Sequence, residues 1–246
     1  SIQGYARSIK AFWSWLTAEG YIESNSMARL KLPKVPQKIV ATFSPEQVQK
    51  LLGALDPGKP SDFRDYVIIL ILFDTGIRLS ELVNLNLEDI DLEQCYFRVR
   101  GKGNVERCLF VGSQVRRYLW KYISRFRPEP AFPQDAHVLL SSRGLPLKRR
   151  AVQSALTRLG KKAHITGIRS SPHTFRHSFA KQFLLNGGNV FSLQRILGHS
   201  SLEMVKIYLN LASSDVQAQH RQFSPADKMA ISATRRRARY RGLRSK

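Results

Sequence analysis

Four short segments place polar side chains in otherwise apolar surroundings. They are residues 75–82 (TGIRLSEL), 101–107 (GKGNVER), 173–180 (HTFRHSFA) and 197–199 (LGH). A tyrosine, Tyr208, follows the histidine of the last segment by nine residues. Arginine, lysine, histidine and tyrosine are the side chains that bind a phosphate ester, protonate its leaving group and attack its phosphorus.

Each of these residues has an ordinary explanation when it is taken alone. Arg78 follows a helix break, where a surface arginine is common, and Lys102 lies in a Gly-Lys-Gly turn. His199 would cap a helix, and Tyr208 would pack against one, as tyrosines usually do. His173 and Arg176 are three residues apart and share a helix face, but that spacing by itself is weakly specific.

As a set, the residues supply the groups that a phosphoryl transfer needs. The planar guanidinium groups of Arg78 and Arg176 can bind a pair of non-bridging phosphate oxygens, and the histidines add donors. A lysine on a hairpin, as predicted for Lys102, can give a proton to the leaving oxygen. Tyr208 has a hydroxyl nucleophile that stays bonded to phosphorus. The sequence shows no carboxylate or Cys/His cluster suited to Mg²⁺ or Zn²⁺, so we expect cationic side chains, and no metal or other cofactor, to stabilise the transition state.

The charge of the chain indicates a polyanionic partner. Its 246 residues include 40 Lys+Arg and 18 Asp+Glu, which gives a net charge of +22. Residues 235–246 hold seven basic residues and no acidic one, and the rest of the chain is still basic. Nucleic acid is the first candidate partner. An anionic membrane is less favoured because the basic residues are not gathered on one amphipathic helix. The alternative is a basic protein without catalytic activity.

Hydropathy argues against several other classes of protein. The longest apolar run, Val67–Phe73, is far shorter than the roughly 20 residues of a membrane helix. Ser1–Gly20 carries charges and tryptophans where a secretory signal would be apolar, so we expect no such signal. We also expect the only two cysteines, Cys95 and Cys108, to be reduced.

The first 42 residues read as helix followed by linker. Tyr5, Ile9 and Phe12 follow the rhythm of an amphipathic helix that ends near Gly20. Ser26–Leu30 begins another short element. Such a short helical stretch cannot enclose a core, so it resembles the last part of a helical domain. Pro33–Thr42 is polar and proline-containing, and we predict that it is the linker between two domains.

A strong helix start follows this linker. Ser44 is a favourable N-cap, Pro45 suits the first helical position, and Gln47 completes a capping box. Phe43 and Val48 suit a hydrophobic staple across this start, and we predict a helix to about residue 55.

The remaining pattern predicts a mostly α domain with a small antiparallel sheet. A buried helix over Asp65–Asp74 ends at Thr75-Gly76. The further predicted elements are a helix at Leu79–Leu85, strands at Ile90–Leu92, Tyr96–Arg100 and Glu106–Val111, a helix from Ser113, a short strand at Val138–Leu140, and helices that begin at Lys148–Ala151, Ser171-Pro172 and Ser200.

The order and spacing of the polar residues resemble the tyrosine recombinase (phage integrase) family, in its Xer-like and phage or transposon members. The shared pattern is Arg, Lys, His-x-x-Arg, His and Tyr, with gaps of 24, 71, 3, 23 and 9 residues. The resemblance covers residues 43 to about 212. It implies catalytic roles for six residues: Arg78, Lys102, His173, Arg176, His199 and Tyr208. Glu81 falls on an acidic position that supports the active site in this family.

The same resemblance implies a domain organisation, a tyrosine-recombinase catalytic domain preceded by the end of a helical core-binding domain. Residues 1–32 would be the incomplete C-terminal part of the DNA-clamping domain, and residues 33–42 the linker. Residues 43–223 would form the catalytic domain, which includes a C-terminal segment exchanged between protomers. Residues 224–246 would be a basic and disordered tail.

The resemblance also implies a mechanism. Tyr208 would attack a phosphodiester, form a 3′-phosphotyrosyl link and release a 5′-hydroxyl. Lys102 would protonate the leaving oxygen, and His173 would accept the tyrosine proton. Arg78 and Arg176, with the histidines, would stabilise the charge on the phosphorane-like transition state. Rejoining would need neither metal nor ATP, because the ester keeps the bond energy.

The partners implied are double-stranded DNA recombination sites and further copies of the chain. Members of the family act as a homo-tetramer on paired sites, with a dimer or monomer expected away from DNA and no membrane involved. Leu211–Phe223 would be the segment passed to a neighbour, although it would equally fit a helix packed in its own protomer. The expected location is the cytoplasm of a bacterium or archaeon, at the nucleoid.

Two other functions fit part of the pattern. A type IB topoisomerase uses the same cationic set and a tyrosine, but relaxes DNA without paired sites. A DNA-binding protein without catalytic activity would keep the fold. The compact motifs favour the recombinase over the first, and the intact set of six residues favours it over the second.

Overall fold

A computed structural model describes residues 2–31, 41–101 and 106–198 of the chain. It divides into two units, residues 1–40 and residues 41–246. The division falls in the stretch that the sequence predicts to be a linker, most of which lies outside the described residues.

The N-terminal unit contains the helix that the apolar rhythm predicts. Helix α1 spans Ile2–Ala18, and Gly20 follows it with a positive φ of 78°. From within this helix, the ammonium of Lys10 donates hydrogen bonds to two carbonyls of the segment that follows, those of Ala28 (3.1 Å) and Leu30 (3.0 Å). The short element expected at Ser26–Leu30 is a turn, in which the backbone N–H of Ala28 donates to the carbonyl of Asn25.

The second unit begins with the predicted capping box. Helix α2 spans Pro45–Gly53. The backbone N–H of Gln47 donates to Ser44 Oγ (3.3 Å), and that of Ser44 donates to Gln47 Oε1 (3.0 Å). Both staple residues, Phe43 and Val48, are buried. The cap satisfies two N–H groups that the helix itself leaves unpaired, which is why the helix starts where the sequence predicts.

Helix α3, Pro60–Thr75, runs through the centre of the core. Its buried side chains are apolar on nearly every face, because helices on several sides cover it. It ends at Gly76, which adopts the left-handed conformation with φ 59°. Helix α4, Leu79–Val83, starts directly after this reversal and is two residues shorter than predicted.

The predicted three-stranded antiparallel sheet is confirmed. Its strands are β1 (Ile90–Asp91), β2 (Tyr96–Arg100) and β3 (Glu106–Phe110), in the order β1-β2-β3. The register pairs Tyr96 with Phe110 and Arg100 with Glu106. Phe97, Val99 and Leu109 face the core, so the alternation that predicted the strands also sets which face is buried.

The prediction of a short strand at Val138–Leu140 is wrong. These three residues are fully buried, but within the described chain they form backbone bonds with two different segments. Val138 donates to the Leu85 carbonyl, whereas Leu140 forms an isolated bridge with Pro146. The Leu140 pair stays an isolated bridge, so the segment does not continue as a ladder with one partner strand.

The remaining described elements are helical. They are α5 (Ser113–Lys121), a π-helical turn (Tyr122–Phe126), α6 (Arg149–Lys162), α7 (Pro172–Leu185) and α8 (Val190–Leu197), with a 3₁₀ turn at Leu87–Asp89. Helix α8 was not among the predicted elements, and at its start Asn189 Oδ1 accepts hydrogen bonds from the N–H groups of Phe191 and Ser192. The helix predicted from Ser200 lies outside the described residues.

Helix α7 connects the start of this unit to the centre of its core. It packs against α3, and its Ser178 Oγ accepts a hydrogen bond from the backbone N–H of Phe43 (2.7 Å) while donating to the Thr174 carbonyl (2.7 Å). Apolar residues of α7 and α8 form a second cluster around Phe179, Leu193 and Leu197. The fold is mainly α with a small antiparallel sheet, as predicted.

Two other expectations concern membranes and cysteines. In the described part of the chain, each helix is too short or too polar to cross a bilayer. Cys95 and Cys108 are free thiols, and Cys108 faces solvent opposite Arg98 in the strand register.

Candidate active site

Three of the six predicted catalytic residues lie in the described chain and line one cleft. Arg78, His173 and Arg176 border a cavity of about 480 Å³, together with Arg149 and His177. The other three, Lys102, His199 and Tyr208, lie outside the described residues. The cleft therefore brings together side chains from α4, α6 and α7 that are up to about 100 positions apart in the sequence.

The reversal at Gly76 positions Arg78. Because α3 stops there and α4 begins at Leu79, Arg78 becomes the N-cap residue of α4, with extended backbone. Its Nη1 donates to Glu81 Oε1 (2.8 Å), and its backbone N–H donates to Glu81 Oε2 (3.0 Å). Its Nη2 donates to the Gly198 carbonyl (2.9 Å), and 33% of the side chain remains exposed.

A close approach of side chains explains why residue 76 is a glycine. A Cβ atom at this position would lie 2.5 Å from Phe179 Cδ1 and 3.1 Å from Leu197 Cδ2. The positive φ excludes most other residues as well. The small residue thus lets α7 and α8 close over the turn that carries Arg78.

Glu81 is the buried carboxylate of the site. Its oxygens accept hydrogen bonds from Arg78 and also from Arg107, whose Nη1 and Nη2 lie 2.9 and 2.8 Å from Oε1 and Oε2. Burial alone would raise the pKa of the Glu81 carboxyl. The hydrogen bonds from Arg107 and Arg78 outweigh burial, so its pKa lies below the ordinary value. The carboxylate therefore stays charged and orients two arginines.

Helix α7 supplies His173 and Arg176. The cap at Ser171, whose Oγ accepts the N–H of Thr174 (3.3 Å), places His173 in the first turn and Arg176 one turn later. His173 is exposed, whereas only 8% of Arg176 is exposed. Arg176 Nη1 donates to the Gly76 carbonyl and Nη2 to the Leu197 carbonyl, both at 2.6 Å, and these bonds fix the plane of the guanidinium.

His177 adds a second histidine to the cleft. It is half-buried, and burial lowers the pKa of its imidazole below the ordinary value. The charges of His173 and Arg176 lower that pKa further. The neutral ring is therefore favoured beside the cationic groups.

The sequence pattern alone assigns no role to His177, Arg107 or Arg149. His177 and Arg107 stand inside two of the quoted segments, so their position in a motif was the available signal. Arg149 lies at the first position of α6, and only the packing of α6 against α4 brings it to the cleft.

The arrangement suits a bound phosphate diester. Three guanidinium groups and two histidines border one cavity, and such groups bind phosphate oxygens and stabilise charge as it develops on them. Across residues 2–31, 41–101 and 106–198, no group of three or more His, Cys, Asp or Glu side chains could hold a metal ion.

Comparisons with known proteins identify the family of the chain. Residues 41–215 match the model of the phage integrase family. Tyrosine recombinase XerC from Lactobacillus delbrueckii subsp. bulgaricus is 32% identical over 220 residues, which are 89% of this chain and 74% of that protein. Tyrosine recombinase XerD from Staphylococcus aureus is 34% identical over 226 residues, which are 92% of this chain and 76% of that protein.

Solved structures show the same fold. A crystal structure of XerA recombinase is 28% identical, with a TM-score of 0.64 over 89% of this chain and 74% of the other. A structure of the Tn1549 transposon integrase has a TM-score of 0.72 at 22% identity, covers 89% of this chain and 78% of its own, and supports the fold alone.

The chain belongs to the phage integrase family of tyrosine recombinases. Its activity is that of a site-specific recombinase, which cleaves DNA and transfers strands through the phosphotyrosyl intermediate characteristic of the family. These relatives support the recombinase over the topoisomerase and over the DNA-binding protein without catalytic activity.

Proposed function

We propose that Arg78, Lys102, His173, Arg176, His199 and Tyr208 form the active site of this recombinase, with Tyr208 as the nucleophile and Glu81 as the supporting acid. One observation carries the proposal. Arg78 and Arg176 share a cleft with His173. Arg176 also donates to the Leu197 carbonyl and Arg78 to the Gly198 carbonyl. These two carbonyls belong to the residues that directly precede His199.

In this mechanism, the Tyr208 hydroxyl oxygen attacks the phosphorus of a DNA phosphodiester. The bond between phosphorus and the 5′-oxygen breaks, and a 3′-phosphotyrosyl ester forms. His173 accepts the proton of the tyrosine, and Lys102 gives a proton to the leaving 5′-oxygen. Arg78, Arg176 and His199 stabilise the negative charge on the non-bridging oxygens. Attack by a 5′-hydroxyl on the ester reverses these steps, so rejoining requires neither ATP nor a metal ion.

The proposed partner is double-stranded DNA that carries recombination sites. The solved relatives include XerH bound to its difH substrate and the Tn1549 integrase in complex with transposon DNA. The net charge of +22 supports a DNA partner for this chain as well. We further propose a homo-tetramer on two paired sites, with the cytoplasm and the nucleoid as its location.

We propose the domain organisation that the family resemblance implies. Residues 1–32 belong to the DNA-clamping domain and residues 33–42 to the linker. Residues 43–223 form the catalytic domain, in which Leu211–Phe223 is the segment exchanged with a neighbouring protomer. Residues 224–246 form a basic tail that adds phosphate contacts.

Covalent capture tests the nucleophile and supplies a substrate. The full chain is incubated with a pool of duplexes that carry randomised arms and one nick, so that cleavage releases a short strand and traps the protein on DNA. Adducts that survive denaturation are recovered and sequenced, and the enriched duplex becomes the probe. The wild type is expected to form the adduct, and Tyr208→Phe is expected to form none.

Tyr96→Phe is the matched control, because Tyr96 lies in strand β2 and packs against Phe110 outside the cleft. It should form the adduct at the wild-type level. An adduct that persists in Tyr208→Phe would show that another residue attacks the phosphorus.

A further inference from the structure

Three arginines from three different elements hold the end of helix α8. Each donates a hydrogen bond to one of three successive backbone carbonyls. The pairs are Arg107 Nε with Ile196 (3.0 Å), Arg176 Nη2 with Leu197 (2.6 Å) and Arg78 Nη2 with Gly198 (2.9 Å). Carbonyls at a helix C-terminus have no partner within the helix and carry its negative dipole end, so cationic donors satisfy them well.

Arg107 differs from the other two because it does not line the cleft that the described residues form. Only 14% of its side chain is exposed. Its Nη1 and Nη2 bind both oxygens of Glu81, and its Nε binds the Ile196 carbonyl. With all three nitrogens engaged inside the protein, Arg107 acts on its neighbours rather than on a bound phosphate.

The side chain of Arg107 also packs against Gly198. This glycine ends α8 in the left-handed conformation with φ 63°. A Cβ atom at residue 198 would lie 3.3 Å from Arg107 Nε and 3.4 Å from its Cδ and Cζ. The close contact holds the backbone immediately before His199 against strand β3.

Arg107 is coupled to Arg78 as well. Both arginines donate to the carboxylate of Glu81, and Oε1 accepts from Nη1 of each. Loss of the Arg107 fork would leave Glu81 with one cationic partner instead of two. The position of the Arg78 guanidinium therefore depends on a residue that lies on another element.

We propose that Arg107 is a positioning residue for the recombination reaction. It fixes the end of α8 directly before His199 and, through Glu81, the guanidinium of Arg78. The inference rests on the proposed function, because that function assigns catalytic roles to His199 and Arg78. Lysine cannot replace Arg107, because its single ammonium cannot bind both Glu81 oxygens in a planar fork and reach the Ile196 carbonyl as well.

The test measures single-turnover cleavage of the captured nicked duplex by saturating amounts of the full chain. Arg107→Lys should lower the rate constant of cleavage by about 100-fold, the effect expected when catalytic groups are misplaced by about 1 Å. Its affinity for the duplex and the final fraction of DNA cleaved should stay at the wild-type level, because the variant keeps the charge and the fold.

Arg64→Lys is the matched control. Arg64 is equally buried, with 13% of its side chain exposed, and binds the carboxylate of Asp65 and the carbonyl of Leu140. Its substitution removes the same kind of interaction from another part of the core, so it should leave the rate constant of cleavage unchanged.

Four results would overturn the positioning role. They are a wild-type rate constant in Arg107→Lys, a reduced cleaved fraction at the wild-type rate constant, a loss of DNA affinity as large as the loss of rate, and an equal slowing in Arg64→Lys. If Arg107→Lys lacks a cooperative unfolding transition, Gly198→Ala replaces it, since its added Cβ presses on Arg107, and the same criteria apply.

The nucleophile test separates this inference from the proposed function. Loss of the adduct in Tyr208→Phe with a wild-type rate constant in Arg107→Lys would overturn the positioning role alone. Persistence of the adduct in Tyr208→Phe would overturn the proposed nucleophile, whatever the rate constant of Arg107→Lys.

Discussion

Arg107 and Glu81 form a two-pronged ion pair, in which Nη1 lies 2.9 Å from Oε1 and Nη2 lies 2.8 Å from Oε2. The pair joins strand β3 to helix α4, and Arg78 shares the same carboxylate. Glu81, to which the family resemblance gives a supporting role, thus binds two arginines at once.

Replacement of Glu81 by glutamine should destabilise the protein substantially. A neutral amide cannot balance the largely buried guanidinium of Arg107 and the partly buried one of Arg78, and one of its terminal atoms is a donor that faces another donor. Breaking a buried ion pair in this way costs about 3–5 kcal/mol, so Glu81→Gln should lower the free energy of unfolding by about 3 kcal/mol. Urea titration followed by circular dichroism measures the change.

Glu106→Gln is the control for this prediction. Glu106 pairs with Arg100 at 2.8 Å, but the side chains are 48% and 70% exposed. Exposed pairs contribute about 0–1 kcal/mol, so Glu106→Gln should unfold close to the wild-type midpoint. Equal losses in the two variants would contradict the central role of the Glu81 carboxylate.

A methyl group at residue 76 should be poorly tolerated. Gly76→Ala places its Cβ 2.5 Å from Phe179 and forces a positive φ on a residue that resists it. Overpacking and backbone strain each cost about 1–3 kcal/mol, so we expect a loss of about 2 kcal/mol or more in the free energy of unfolding.

Gly53→Ala provides the comparison at the last position of α2, where nothing lies within 4 Å of the added Cβ. Removing a helical glycine should stabilise the protein by about 0.4–1 kcal/mol. Thermal unfolding of both variants tests the pair. A wild-type melting temperature in Gly76→Ala would show that the turn relaxes without cost.

The lowered pKa of His177 predicts a pH-dependent stability. Burial and the charges of His173 and Arg176 favour the neutral ring in the folded protein. As pH falls below the ordinary value of 6.5, the unfolded chain takes up this proton before the folded chain does. The free energy of unfolding should therefore decrease between that pH and the folded pKa.

His177→Gln removes this titrating group, so its stability should fall less than that of the wild type between about pH 7 and pH 5, on either side of the ordinary histidine value. Urea titrations at each pH give the two curves. Parallel curves for the variant and the wild type would mean that His177 does not carry the linkage.

The role proposed for Lys102 predicts a defect in leaving-group protonation. Lys102→Ala should slow single-turnover cleavage by about 10²–10⁴-fold, the usual contribution of a general acid, while DNA affinity changes much less. A substrate with sulfur in place of the bridging 5′-oxygen should restore most of the rate, because a thiolate leaves without a proton. Equal losses in affinity and rate would assign Lys102 to simple phosphate binding.

Local signals account for the parts of the fold that the sequence predicts well. The cap at Ser44 and the break at Gly76 each depend on neighbouring residues, and the strand alternation is a pattern of period two. The segment Val138–Leu140 was predicted wrongly because Val138 pairs with Leu85 and Leu140 with Pro146, and apolar content alone does not reveal that the partners differ. The start of α8 at Asn189 was missed although asparagine is a common N-cap.

In the candidate site, too, local features could be predicted from the sequence and long-range contacts could not. Residue type, order and spacing identify Arg78, His173 and Arg176, and the structure brings these three to one cleft. Spacing does not reveal that Arg107 bonds to the carbonyl of Ile196, 89 residues away. A contact of that kind depends on how strand β3 packs against α8, and that packing is a property of the whole fold.

The hydrogen bond between Phe43 and Ser178 has a consequence for how the protein is made. Its donor and acceptor are separated by 135 positions in the chain. At about 5–20 residues per second, a ribosome needs on the order of 7–27 s to reach the second partner after the first. Until then the Phe43 amide, which is buried in the folded protein, must bind water instead. The start of this unit therefore cannot reach its final packing before α7 has been synthesised.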